Sequence, residues 1–206
     1  FELGRPLGTP DNAAFQMRVL RHVLSLLEKE GPPPILEDFP DDAPGGGADL
    51  TGWTCPISLP AAVDEDTPER LENVLAEIEA LAPWYQAGLE RRDRTATGVL
   101  GCNIAGIARF LHDAFDGVPN SPKDGVPVGE AFRQGCEELK TFYMEAAIAK
   151  PGSASSRDLA DWFWGGTAAG RLLLDLHPAA LASTDTGIRR VAEGQMVPRL
   201  QKHRLG

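Results

Sequence analysis

Four groups of residues in this chain have side chains and spacings suited to chemistry. The first is Arg91-Arg92-Asp93-Arg94-Thr95-Ala96-Thr97-Gly98, which places three guanidiniums, two hydroxyls and a glycine within eight positions. Charge-assisted bonds from arginine, together with free backbone N–H groups, are what hold a carboxylate or a phosphate. Arg91, Arg94, Thr95 and Thr97 are therefore the candidate substrate- or anion-binding residues. The competing reading is a helix C-terminus whose arginines offset the dipole, followed by a hydroxyl-rich turn.

The second group is the acidic run Glu37, Asp38, Asp41 and Asp42. Hard divalent cations take several oxygen ligands from one flexible loop. The spacing matches no EF-hand, so these four are weak metal candidates and no metal is expected. The third is Cys55, in Trp53-Thr54-Cys55-Pro56, an irregular stretch that leaves this thiol more reachable than Cys136 on its apolar helical face. No neighbouring His or Lys lowers its pKa, which makes it a poor nucleophile. The fourth is Trp162-Phe163-Trp164-Gly165-Gly166-Thr167. On one helix Trp164 lies about 200° from Trp162, so both cannot face one core. Either a second domain covers Trp164, or it lines a pocket, or it stays partly exposed. Trp162 and Trp164, with Arg5, are the candidate interface residues.

Other constellations do not form. His22, His112, His177 and His203 stand singly, without the spacing of a zinc triad or a Ser-His-Asp arrangement. There is no GxxxxGK[ST] and no GxGxxG, so no nucleotide cofactor is expected, nor any other. The C-terminal stretch Arg189, Arg190, Arg199, Lys202, His203 and Arg204 is basic and suits an acidic surface of the same molecule or of a partner.

Helix-sized periodic segments position these groups. The first opens at Thr9-Pro10 and carries Phe15, Val19, Val23 and Leu27, with Leu20 and Leu24 beside them, as one apolar stripe. The run Ile35 to Phe39 suits a short extended segment, and the Pro- and Gly-rich stretch after it suits a mobile loop over about 40–66. A second helix starts at Thr67-Pro68, with Pro83 expected to kink or restart it. A third spans about Asn103 to Phe115, and a fourth runs from Pro127 to about Ala149. A fifth runs from Ser155 through Leu176, and a last one spans about Asp185 to Val197. The expected fold is all-α or mainly α: about six helices in an irregular helical bundle, with long Pro/Gly-rich loops and at most short strand fragments. One helical domain is expected over 9–206, with 1–8 as the remnant of an upstream connection, since the chain begins at Phe1.

The chain has 206 residues, 30 acidic against 20 basic, and a net charge of −10. Such a balance repels phosphate backbones and anionic leaflets, so neither nucleic acid nor membrane is an expected partner. No stretch reaches the roughly 18 apolar residues of a spanning helix. Three cysteines without a CxxC argue against disulfides and structural zinc and favour a reducing, cytoplasmic setting.

Several strings taken together, Phe1-Glu2-Leu3-Gly4-Arg5-Pro6-Leu7-Gly8, Leu36-Glu37-Asp38-Phe39-Pro40, Arg109-Phe110-Leu111, Leu139-Lys140-Thr141-Phe142-Tyr143 and Leu159-Ala160-Asp161-Trp162-Phe163-Trp164, resemble the C-terminal part of actinobacterial proteins related to the selenoprotein B subunits of glycine, sarcosine, betaine and D-proline reductases. The resemblance spans nearly the whole chain but includes no catalytic signature. It implies an oxidoreductase whose reacting Cys or Sec lies outside this chain, on an α/β partner chain or domain. This chain would then supply contacts to a small carboxylate substrate and an interface. The expected function is a helical subunit or domain of a reductase-like enzyme cleaving a small amino-acid-like substrate; the alternative is a non-enzymatic helical protein-protein interaction module.

Overall fold

The computed structural model describes residues 7–8, 12–32, 34–41, 69–150 and 156–205. Among these there are seven α-helices, two 3-10 turns and no strand. The expected mainly helical class holds, while the helix count exceeds the expected six. The chain divides into two compact units, Phe1–Gly52 and Trp53–Gly206.

The first unit contains α1, Ala13–Ser25, followed by a 3-10 turn at Leu26–Glu28. Its N-cap is Asn12, whose side chain accepts from the Phe15 N–H at 3.0 Å, so the described helix starts three residues after the expected Thr9. The apolar residues of α1 do not share one face. Phe15 and Val19 are buried, with Phe39 edge-on to Phe15 at 5.8 Å and to His22 at 5.2 Å. Met17, Leu20, Val23, Leu24 and Leu27 are exposed. At 100° per residue, Leu20, Leu24 and Leu27 lie roughly 120° around the helix from Phe15 and Val19. Residues 35–39 follow without regular structure.

The second unit contains α2 (Glu69–Arg92), α3 (Ile104–Asp113), α4 (Val128–Ala149), α5 (Ser156–Gly166), α6 (Ala168–Leu181) and α7 (Thr186–Gly194), then a 3-10 turn at Arg199–Arg204. Three of these helices begin at a side-chain cap that the sequence displays. Asn103 accepts from Gly106 N–H, Thr167 from Gly170 N–H and Asp185 from Ile188 N–H, all within 3.0 Å. Thr167 splits the expected fifth helix into α5 and α6. A Cβ at Gly170 would stand 2.0 Å from the Phe163 carbonyl oxygen, so only glycine allows so sharp a reversal. Helix α2 runs through Pro83 to Arg92 without restarting.

Helix α4 packs against α2, α3, α5, α6 and α7. It buries Phe132, Cys136, Leu139, Tyr143 and Ala146 completely or nearly so. Burying one such large apolar side chain contributes about 1.5–3 kcal/mol, so this face is a principal source of stability. Its N-terminal end crosses α7 at two facing glycines: a Cβ on Gly129 would come within 2.5 Å of the Gly187 Cα. Glu130, in the first turn, is held at a pKa of about 2, chiefly by its bonds from Arg133 and Gln134.

Candidate functional site

The connection between α2 and α3 contains the arginine-threonine cluster. Helix α2 stops at Asp93, which takes a left-handed φ of 52°, and Gly98 (φ 89°) and Gly101 (φ 74°) turn the chain twice more. Such a path leaves backbone N–H groups unpaired, and two carboxylates from α4 take them up. Glu138 accepts from Gly98 N–H at 2.5 Å and from Leu100 N–H at 2.8 Å. Seven residues on, and so on the same face of α4, Glu145 accepts from Ala96 N–H at 3.1 Å and from the Thr95 hydroxyl at 2.8 Å. The Arg92 guanidinium lies 3.4 Å from the same Glu145 carboxylate. The amides that the sequence suggested for an external anion are thus held by two internal ones.

The hydroxyls are engaged as well. The Tyr85 hydroxyl is 2.9 Å from that of Thr95 and 2.7 Å from that of Thr97, and its ring packs on Phe142 at 4.8 Å. Arg91 donates to the Ile148 carbonyl in the last turn of α4, where a cation offsets the helix dipole. Arg91 thus serves the C-terminus of α4, whereas the helix-terminus reading had the arginines offset the dipole of their own helix. Arg94 is exposed and pairs with no group among the described residues.

A third internal carboxylate, Glu77 on α2, is buried at 3% exposure. It accepts from Ala168 N–H at 2.8 Å, Ala169 N–H at 3.3 Å and the Tyr143 hydroxyl at 2.8 Å. The positive end of α6 therefore receives a buried anion, and one side chain joins α2, α4 and α6. Burial raises the Glu77 pKa, while the Ala168 amide, the Tyr143 hydroxyl and the Ala169 amide pull it back. Burial and the neighbouring Glu77 carboxylate push the Tyr143 phenol well above its usual range.

The remaining sequence candidates take structural places. Trp164 is 3% exposed, with its ring edge-on to Phe163 at 5.2 Å, so no second domain is needed to cover it. Trp162 is half-buried with its ring 6.2 Å from Tyr143. The basic C-terminal segment folds back on α5: Gln201 donates to Asp161 at 2.7 Å, and Arg204 lies 3.8 Å from Asp161. Glu37 pairs with Lys29 and lies 3.9 Å from His22, and Asp41 pairs with Arg18 at 2.9 Å. No group of three or more metal-binding side chains converges among the described residues. Arg5, Asp42 and Cys55 lie outside the described residues. Burial pushes the Cys136 thiol up to about 12 and, with help from Glu138, also raises Cys102. A shallow cleft of about 290 Å³ at the C-terminal ends of α3 and α6 is lined by Phe115, Asp116, Val118, Ala182, Ser183 and Thr184, none of them a sequence candidate.

Sequence reasoning missed Glu77, Glu138 and Glu145. Each reads as a solvent-facing acid on an amphipathic helix, and its donors lie 38–92 residues away along the chain. The spacing of seven between Glu138 and Glu145 puts both on one face of α4, a signal that could have been read for these two but not for Glu77. Comparison with family models, with characterised proteins and with solved structures gives no match.

Proposed function

We propose that this chain is a non-enzymatic helical protein-protein interaction module, an irregular bundle with Pro/Gly-rich connections, that docks through α1 onto an apolar, acidic-edged helix of a partner protein. One observation carries this reading. Met17, Leu20, Leu24 and Leu27 follow one another at steps of three, four and three residues and are 46%, 38%, 60% and 83% exposed. That is the spacing of a two-helix seam. Arg21 lies beside the stripe, exposed and without a partner among the described residues. It supplies a positive edge on a chain whose net charge of −10 disfavours self-pairing. Covering four such side chains contributes on the order of 4–8 kcal/mol. Association costs a similar amount, which suits a reversible contact.

The filled amides of the 93–101 loop and the high pKa of Cys136 support a binding role over a catalytic one. The test is recovery of a stoichiometric partner from the native host with the wild-type chain, compared with a Leu24→Asp/Leu27→Asp variant of unchanged helicity. Loss of the partner in the variant supports the reading. A wild-type chain that retains no protein, or a variant that retains it equally well, refutes it.

A second reading rests on Arg94. Exposed and unpaired among the described residues, it is free to meet a small carboxylate, as a helical subunit of a reductase-like enzyme would require. Arg94→Ala should then weaken binding of glycine or proline to the assembled complex by about tenfold, the loss of one charge-assisted bond. Unchanged binding removes this reading.

A further inference from the structure

The Thr95 hydroxyl is the hub of the 93–101 loop. It donates to Glu145 at 2.8 Å, accepts from Thr97 N–H at 3.1 Å, and lies 2.9 Å and 3.1 Å from the hydroxyls of Tyr85 and Thr97. Thr95 is nonetheless an exposed residue on a connection flexed by Gly98 and Gly101. Arginines stand one, three and four positions before it, at Arg94, Arg92 and Arg91, and form the densest cationic run of an acidic chain. A transferase cleft lined with carboxylates selects its substrate segment by such charge patterns. Arg94 is available for that recognition.

We propose that Thr95 is a phosphorylation site for an arginine-directed Ser/Thr protein kinase, and that its modification releases the loop from α4. In the transfer the Thr95 oxygen forms a bond to the γ-phosphorus of ATP, the bond from that phosphorus to the β–γ bridging oxygen breaks, ADP leaves, and the hydroxyl proton is lost to the kinase base. The product carries about −1.5 to −2 charge beside Glu145 and no longer has a proton to donate to it. Arg92, now 3.4 Å from Glu145, then has a stronger acceptor on the same loop. The clasp between residue 145 and Thr95–Ala96 opens. Glu138 keeps its hold on Gly98 and Leu100, so the release is local. The site lies wholly in the Trp53–Gly206 unit and does not depend on docking through α1.

The experiment treats the full chain with MgATP and the catalytic domain of an arginine-directed kinase, then maps phosphate by peptide mass spectrometry and follows amide exchange. Phosphate is expected at Thr95, and none in Thr95→Ala. Arg94→Ala should be modified several-fold more slowly. In the phosphorylated chain the Ala96 amide should exchange roughly tenfold faster, as losing one such bond implies, with Gly98 and Leu100 changing less. An unmodified Thr95, or phosphate at Thr95 with unchanged exchange at Ala96, overturns the proposal.

Discussion

Replacing Glu138 by glutamine should destabilise the second unit far more than a surface carboxylate-to-amide exchange does. The wild-type carboxylate is 2% exposed and accepts from two backbone amides, Gly98 and Leu100, at 2.5 and 2.8 Å. A glutamine keeps one acceptor oxygen and turns its NH2 group toward the other N–H. One bond to a charged acceptor, worth about 1.5–3 kcal/mol, is lost, and a buried donor is left unsatisfied at a further cost of about 1–3 kcal/mol. Partial relaxation of the loop recovers some of this, so a net loss on the order of 3 kcal/mol is expected. For a chain of this size that lowers Tm by about 6–12 °C. Urea denaturation with tryptophan fluorescence measures the free energy, and amide exchange at Gly98 and Leu100 locates the loss. Glu145, half-buried beside an exposed loop, gives a control: Glu145→Gln should cost about 1 kcal/mol. A Glu138→Gln loss below about 1 kcal/mol, with unchanged exchange at the two amides, would refute the clasp.

Three further outcomes follow from the same geometry. Gly129→Ala forces its Cβ into the Gly187 backbone and should cost about 1–3 kcal/mol by overpacking, measurable by thermal denaturation; a neutral result would mean that α4 and α7 do not cross there. Because burial raises the folded-state pKa of Glu77, the native chain binds more protons there than the unfolded one. That contribution is fully present below the unfolded pKa of about 4.3 and is lost as pH rises through the folded value. Between pH 4 and 8 the stability of Glu77→Gln should therefore improve relative to wild type as pH rises, and parallel curves would contradict the assignment. Cys136, with its thiol pushed up to about 12, should resist iodoacetamide at pH 7.5 until urea unfolds the chain, and rapid native alkylation would contradict its burial.

Local signals in the sequence reach some elements and not others. Helix α4 begins one residue after its expected proline and ends at the expected Ala149, because its apolar repeat is unbroken and a proline lies beyond it. Asn103 and Asp185 cap α3 and α7, as side chains that compete with the backbone do. The break at Thr167 was half legible: two glycines marked a weak point, but the reversal depends on Gly170 meeting the Phe163 carbonyl. The two faces of α1 are separable by helical angle, but periodicity reports which residues are apolar and not which of them find a partner. Only the packing of Phe39 decides that Phe15 is covered and Leu27 is not. For the loop, the residue types suggested a site for an external carboxylate or phosphate, whereas the amides of Ala96, Gly98 and Leu100 are taken up by carboxylates of α4. That the anions are Glu138 and Glu145 of the same chain depends on how α4 is placed, which no local spacing encodes.

Docking through α1 is tested most directly by a photo-crosslinking amino acid at Leu24 in the full chain, expressed in its native host, with the same residue at exposed Leu200 as the control. One dominant adduct is expected from position 24, containing a partner helix with apolar residues and an acidic edge, abolished by Leu27→Asp and absent from position 200. Equal adducts from both positions, or none from position 24, would contradict it.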